Sequence, residues 1–246
     1  MSNSSIAFGS GVLIGTTASG PIQFGSLQDV SIDFSFSTKQ LMGQFQFPVA
    51  VARGAGKISG KAKFASIDGP VLNQIFFGAS AGAGQKLWSY NEGANVAASS
   101  PYAVSVANAA AFDQNLGVVY ASSGLQLTQV ASSPAVGQYS VASGVYTFNA
   151  ADAGKALLVS YSYTQTTGGS KAVIANRQMG IAPSFQIDFY QCNPNVTGAQ
   201  WSMRLYNCIS SKLNMASKLE AFTIPEMDFE AFANATNNIG ELNTAV

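Results

Sequence analysis

The sequence contains no histidine. That absence removes the commonest general base, the histidine-centred triads and the ordinary zinc ligand sets together. Charge is scarce as well: 12 basic and 12 acidic residues make up only 10% of the chain and cancel formally. Gripping nucleic acid requires an excess of lysine and arginine to neutralise phosphates, and this chain has none. Cysteine is limited to Cys192 and Cys208, which lack metal-site spacing. If residues 182–192 and 199–209 form a hairpin, position 192 lies opposite about 199 and not 208, so a bond between the two is not expected. Free thiols of a reducing compartment follow, with an inter-subunit disulfide left open. No apolar run approaches the roughly 18 residues of a membrane-spanning helix. No basic region precedes the short apolar patch near the N-terminus, so a secretory leader is not expected either.

What the chain does have is apolar residues, 47% of the total, in alternating patterns. So hydrophobic a surface with so few charges is poorly protected against association, and large contacts between copies account for it. The stretch 24–51 organises the rest. Val30, Ile32, Phe34 and Phe36 fall on one face of an extended segment, and Asp29, Ser31, Asp33 and Ser35 on the other. After a polar break at Ser37, Thr38, Lys39 and Gln40, alternation resumes with Phe45, Phe47, Val49 and Val51 against Gln44 and Gln46. This predicts a β-hairpin with its loop at 37–40. Arg53-Gly54-Ala55-Gly56 predicts a further turn, followed by a third strand over 57–67 with Lys57, Lys61 and Lys63 on one face. Those lysines are expected to be solvated or paired with neighbouring acids; the sharper reading is cross-strand or inter-subunit pairing with Asp29 and Asp33.

Asp68-Gly69-Pro70 predicts the start of a short helix that carries Val71, Leu72, Ile75 and Phe76 into the core and ends at Gly78. From about residue 80 the composition shifts. AGAGQ reads as a linker, and six short alternating runs between Pro101 and Thr167 predict a small inserted β-sandwich of immunoglobulin-like type. There is no Cys–Trp–Cys pattern, so that likeness is architectural. After Gly168-Gly169-Ser170 the first pattern returns: Phe185, Ile187 and Phe189 alternate with Gln186 and Asp188, then Trp201, Met203 and Leu205 with Ser202 and Arg204. A last apolar segment spans 219–232, and the tail beyond it predicts a loose segment or an inter-subunit arm. The expected fold is mainly β, with a core domain of 1–80 plus 170–246 and an inserted domain of 81–169.

A search for chemistry finds little. Asp29 and Asp33 form a candidate carboxylate pair, but acids on a wet strand face are ordinarily solvating groups. Gly9-Ser10-Gly11 and Gly82-Ala83-Gly84 have neither the lysine nor the strand–helix context of a phosphate loop. The aromatics alternate with polar residues as a core does and are not interleaved with basic ones. No enzymatic activity, cofactor or metal is expected.

The order of parts resembles a bacteriophage major tail tube protein: long hairpin, further strand, short Asp-Gly-Pro helix, β-sandwich insertion and returning strand pair. Residues 28–78 carry most of this resemblance, and 144–155 (GVYTFNAADAGK) is similar to a stretch found in insertions of phage virion proteins. The resemblance implies a tail-tube-type β-sandwich or barrel core with one short α-helix. It also implies hexameric rings whose inner sheets close into one barrel, stacked through the hairpin loop at Ser37, Thr38, Lys39 and Gln40. Four inner strands from each of six copies, spaced about 4.8 Å and tilted about 40°, make a barrel roughly 48 Å across, wide enough for duplex DNA. The implied partners are further copies, tail terminator and tail tip or baseplate proteins, and double-stranded DNA passing without tight binding, with no membrane. The implied location is the virion tail, assembled in the host cytoplasm. A conduit should shed phosphate, so Asp29, Ser31, Asp33, Ser35, Gln44, Gln46, Gln186 and Asp188 are the lumen candidates. Two alternatives remain open: a tube-forming secretion component, and a carbohydrate-binding sandwich module using Tyr102, Tyr120, Tyr139, Tyr161 and Tyr163.

Overall fold

A computed structural model describes residues 9, 11–66, 69–78, 82–192 and 200–244. The expected N-terminal arm before residue 9, the helix start at Asp68 and the turn at Asn193–Gly198 lie outside the described residues. The described residues are mainly β, with one short α-helix among them. The first strands are β1 (Val12–Thr17), β2 (Gly20–Gln23), β3 (Leu27–Met42) and β4 (Pro48–Phe64), followed by α1 (Gly69–Val71), which runs into a π-helical turn over Leu72–Phe76. Next come β5 (Gly82–Asn95), β6 (Ala103–Ser105), β7 (Phe112–Tyr120), β8 (Thr128–Gln129), β9 (Gln138–Ala142), β10 (Val145–Phe148) and β11 (Ala156–Lys171). The last four are β12 (Ser184–Cys192), β13 (Gln200–Asn214), β14 (Glu226–Phe232) and β15 (Gly240–Thr244). The chain divides into two compact units, residues 1–81 with 172–246, and Gly82–Lys171.

The first unit is built on one eight-stranded sheet of order β2-β1-β12-β13-β14-β4-β3, with β15 added to β13. All its pairings are antiparallel. Alternation puts Leu13, Phe64, Phe185, Ile187, Phe189, Leu205, Met227 and Phe229 on one face, where the helix adds Val71 and Ile75. Phe24 stacks on Phe64 at 5.1 Å between centroids, and Trp201 meets Phe189 edge-on at 5.0 Å. Gly78, at a φ of 55°, ends the helix as expected.

Three expectations about the hairpin are corrected. Residues 37–40 are not a loop: β3 runs 16 residues to Met42, and the tip is Gly43–Phe47. Nor is Arg53–Gly56 a turn, since it lies inside the 17-residue β4, so two long strands replace the expected three. The physical cause is a bulge. Phe36 lies opposite Gly56 and Thr38 opposite Arg53, so β4 carries one extra residue and the slip in alternation is absorbed without reversing the chain. The polar tail is also not loose over Gly240–Thr244. It pairs with Trp201–Leu205, taking the β13 edge beyond the end of β14.

The second unit has a three-stranded sheet β5-β11-β7 and a four-stranded sheet β6-β10-β9-β8, in which only β8 and β9 run parallel. Val104, Val118, Tyr139, Tyr146, Phe148, Val159 and Tyr161 from both sheets form one core. The stretch expected as a linker, 81–85, is strand from Gly82 onward: Gly82 and Ala83 pair with Lys171 and Ser170. The expected turn at 149–154 is present as a 3-10 turn over Ala150–Asp152, with the Asn149 side chain accepting from the Ala151 amide.

Candidate functional site

The face of the large sheet opposite its core is polar and laced by ions. Cross-strand registry places Asp29, Ser31, Asp33 and Ser35 of β3 opposite Lys63, Lys61, Ser59 and Lys57 of β4. The next strand in the sheet, β14, sets Glu226, Asp228 and Glu230 beside Lys63, Lys61 and Ser59. Lysines and acids interlock both diagonally and directly across: Lys61 Nζ lies 2.8 Å from Glu226 and 3.9 Å from Asp228, Lys57 lies 2.7 Å from Glu230, and Lys63 lies 3.4 Å from Asp29. The three lysines are thus paired, as expected, but mainly with β14 and not with Asp33. The hydrogen bond and charge of Lys61 hold the Glu226 carboxyl below the ordinary range against a smaller opposing effect of burial.

Further along the same face, Asp188 of β12 lies opposite Arg204 of β13, 2.5 Å from its Nε, and Gln186 donates to Asp188 at 2.6 Å. Glu241 of β15 lies 3.6 Å from the same guanidinium. With Lys212 opposite Asp228, this face carries seven acids (Asp29, Asp33, Asp188, Glu226, Asp228, Glu230, Glu241) against five bases (Lys57, Lys61, Lys63, Arg204, Lys212). The balance is −2 in a chain whose total is zero. Cross-strand ion pairs of this kind set registry more than they add stability, since exposed pairs contribute about 0–1 kcal/mol.

Six of the eight lumen candidates therefore share this face. Gln44 and Gln46 do not; they sit at the hairpin tip, because the alternation that suggested them belongs to the turn. The acids of β14 went unremarked in the sequence although the alternation Glu226-Met227-Asp228-Phe229-Glu230 displays them. The ring-stacking residues expected at 37–40 lie in β3, and the outermost part of the hairpin is apolar instead. Phe45 is 73% and Phe47 81% exposed, and Leu41, Met42, Val49 and Val51 are exposed beside them. Only residues 58–63 of β4 meet β14, so the distal hairpin is a two-stranded ribbon. Such a ribbon is marginal in water on its own. Strands β3 and β2 are the sheet's two edges.

The five tyrosines considered for sugar contact do not form a surface. Tyr139 and Tyr161 are buried, and Tyr102, Tyr120 and Tyr163 are partly buried against the second unit's core. Their hydroxyls serve that unit. Asn115 donates to Tyr139 and accepts from Tyr146, and Tyr161 donates to Glu92 at 2.6 Å. Among the described residues no group of three or more His, Cys, Asp or Glu is placed to hold a metal ion. No helix among them is long and apolar enough to cross a membrane. Comparison with protein-family models finds no match, and comparison with curated proteins finds none either.

Proposed function

We propose that this chain is the repeating subunit of a bacteriophage tail tube, in which copies join edge to edge into hexameric rings and the rings stack into a conduit for double-stranded DNA. The observation that carries the reading is the distal β3–β4 hairpin, which holds six large apolar side chains in water with no third strand to support them. A second copy supplies the missing cover, and a neighbouring sheet satisfies the bare outer edge of β3. The acid-biased polar face suits the bore. Its three β4 lysines are held by carboxylates and so are not free to release counterions from passing phosphate. The subunit has a structural role in the virion, with tail terminator and tail tip proteins as the partners that end the stack.

Negative-stain electron microscopy of the purified protein at rising concentration tests this reading. Hollow tubes with a regular axial repeat are expected. A protein that stays monomeric at every concentration, with no tubes, overturns it.

A further inference from the structure

We propose that the outward face of the β5–β11–β7 sheet binds a neutral carbohydrate, with Trp88 and Tyr90 as its stacking platform. This is independent of the tube reading. Trp88 is 77% and Tyr90 83% exposed, while every other aromatic ring of Gly82–Lys171 is at least partly buried. The residue between them points the other way: Ser89 donates to Glu92, which also accepts from the core residue Tyr161. Both rings therefore project from the side that faces away from the unit's own core. Successive same-face positions on a strand lie about 7 Å apart, on the scale of one sugar ring.

The platform is held in place. The β5–β11 register slips between Ser89 and Glu92, and Asn91 takes a left-handed conformation with φ at 56°. Its amide donates to Ser160 Oγ at 3.0 Å, fixing the bulge that carries Tyr90. Opposite Trp88 lies Ser162, which donates to Asp113, and Lys86 bonds both oxygens of Asp113 at 2.7 Å. The ion pair beside the rings is closed on itself.

That charge state selects the ligand. An anionic polymer or an acidic bilayer is gripped by several unpaired cations, whereas besides Lys86 only the charge of Lys171 acts on Asp113. A neutral polyol needs none, because the negative ring faces attract its C–H edges and the hydroxyl of the exposed Tyr90 can both accept and donate a hydrogen bond. As the edge strand of its sheet, β5 also offers backbone groups on its outer side. A second copy of the chain fits less well. Two aromatic side chains bury at most about 250 Å² each, short of the roughly 800 Å² per partner that a stable interface needs.

The test uses the full chain. Trp88 and Trp201 are its two tryptophans, so Trp201→Phe leaves Trp88 as the only indole reporter. Dextran, mannan, galactan and laminarin serve as neutral probes in affinity electrophoresis, with their oligosaccharides for fluorescence titration; polygalacturonate and DNA are the anionic probes. At least one neutral glycan is expected to retard the protein and to shift Trp88 emission saturably. Tyr90→Ala should weaken that binding about tenfold, and Trp88→Ala should abolish retardation, both with unchanged thermal unfolding. The proposal is overturned if no neutral probe binds, if only anionic probes bind, or if both variants bind as the parent does. It is also overturned if the two variants lose self-association and no glycan retards the parent.

Discussion

The ring of Phe229 lies directly on the backbone of Gly60, its cross-strand neighbour in the sheet. A Cβ at Gly60 would stand 2.1 Å from the ring's Cζ and under 3 Å from two more ring carbons. Gly60 thus makes the room that lets Phe229, fully buried, close the core between β4 and β14. Gly60→Ala should cost about 1–3 kcal/mol, read as a lower urea midpoint with an unchanged slope. An unaltered midpoint would mean that Phe229 repacks freely.

The ion pair of Lys61 with Glu226 predicts an acid limb in the stability of the first unit. The folded-state carboxyl of Glu226 is held below its ordinary value of 4.5, with the Lys61 hydrogen bond as the largest cause. Its contribution is therefore present above that value and is lost as pH falls through the depressed one. Lys61→Met should make the melting temperature less dependent on pH between about pH 5 and 3. A slope equal to that of the parent would remove this pair from the account.

In the second unit Asp152 is fully buried and accepts from Lys155 at 2.6 Å, Tyr120 at 2.7 Å and the Gly137 amide at 3.3 Å. Burial opposes its charge, but these three donors outweigh it and keep the carboxyl below the ordinary aspartate range. Asp152→Ala should destabilise the unit by ~2–3 kcal/mol, measured by thermal unfolding. Asp152→Asn, which keeps an acceptor but loses the charge, should fall between the two.

Hairpin cover is separable from folding. Phe45→Ser with Phe47→Ser should leave the melting temperature of the unassembled protein within about 2–4 °C, since surface changes away from packed contacts stay near ±0.5 kcal/mol each. Tube formation should be lost in the same double variant by electron microscopy. Normal tubes would place the stacking contact elsewhere.

Asp33 makes no ion pair among the described residues, whereas Asp29 faces Lys63. Asp33→Lys adds a free cation to the polar face at little cost to folding. Tubes should still assemble, and genome ejection from particles carrying the variant should slow in a salt-dependent manner. Ejection at the parental rate would take this face out of the bore.

Much was legible in the chain alone, because side-chain alternation is a local property of an extended segment. It marked β3, β12 and β13, the core faces of Phe185, Ile187 and Leu205, and the short helix closed by Gly78. Absence was equally informative: a chain without histidine cannot build a histidine-centred triad or a zinc site with histidine ligands. Registry was not legible, because it depends on which distant strand lies alongside. Only the fold showed that the polar stretch 37–40 continues β3 through a bulge, that the lysines of β4 answer to Glu226 and Glu230 some 165–173 residues away, and that the tail pairs with β13. It also decided which aromatics face water. Tyr161 and Trp88 both sit in alternating runs, and only the packing of two sheets against each other buries the first and leaves the second outside.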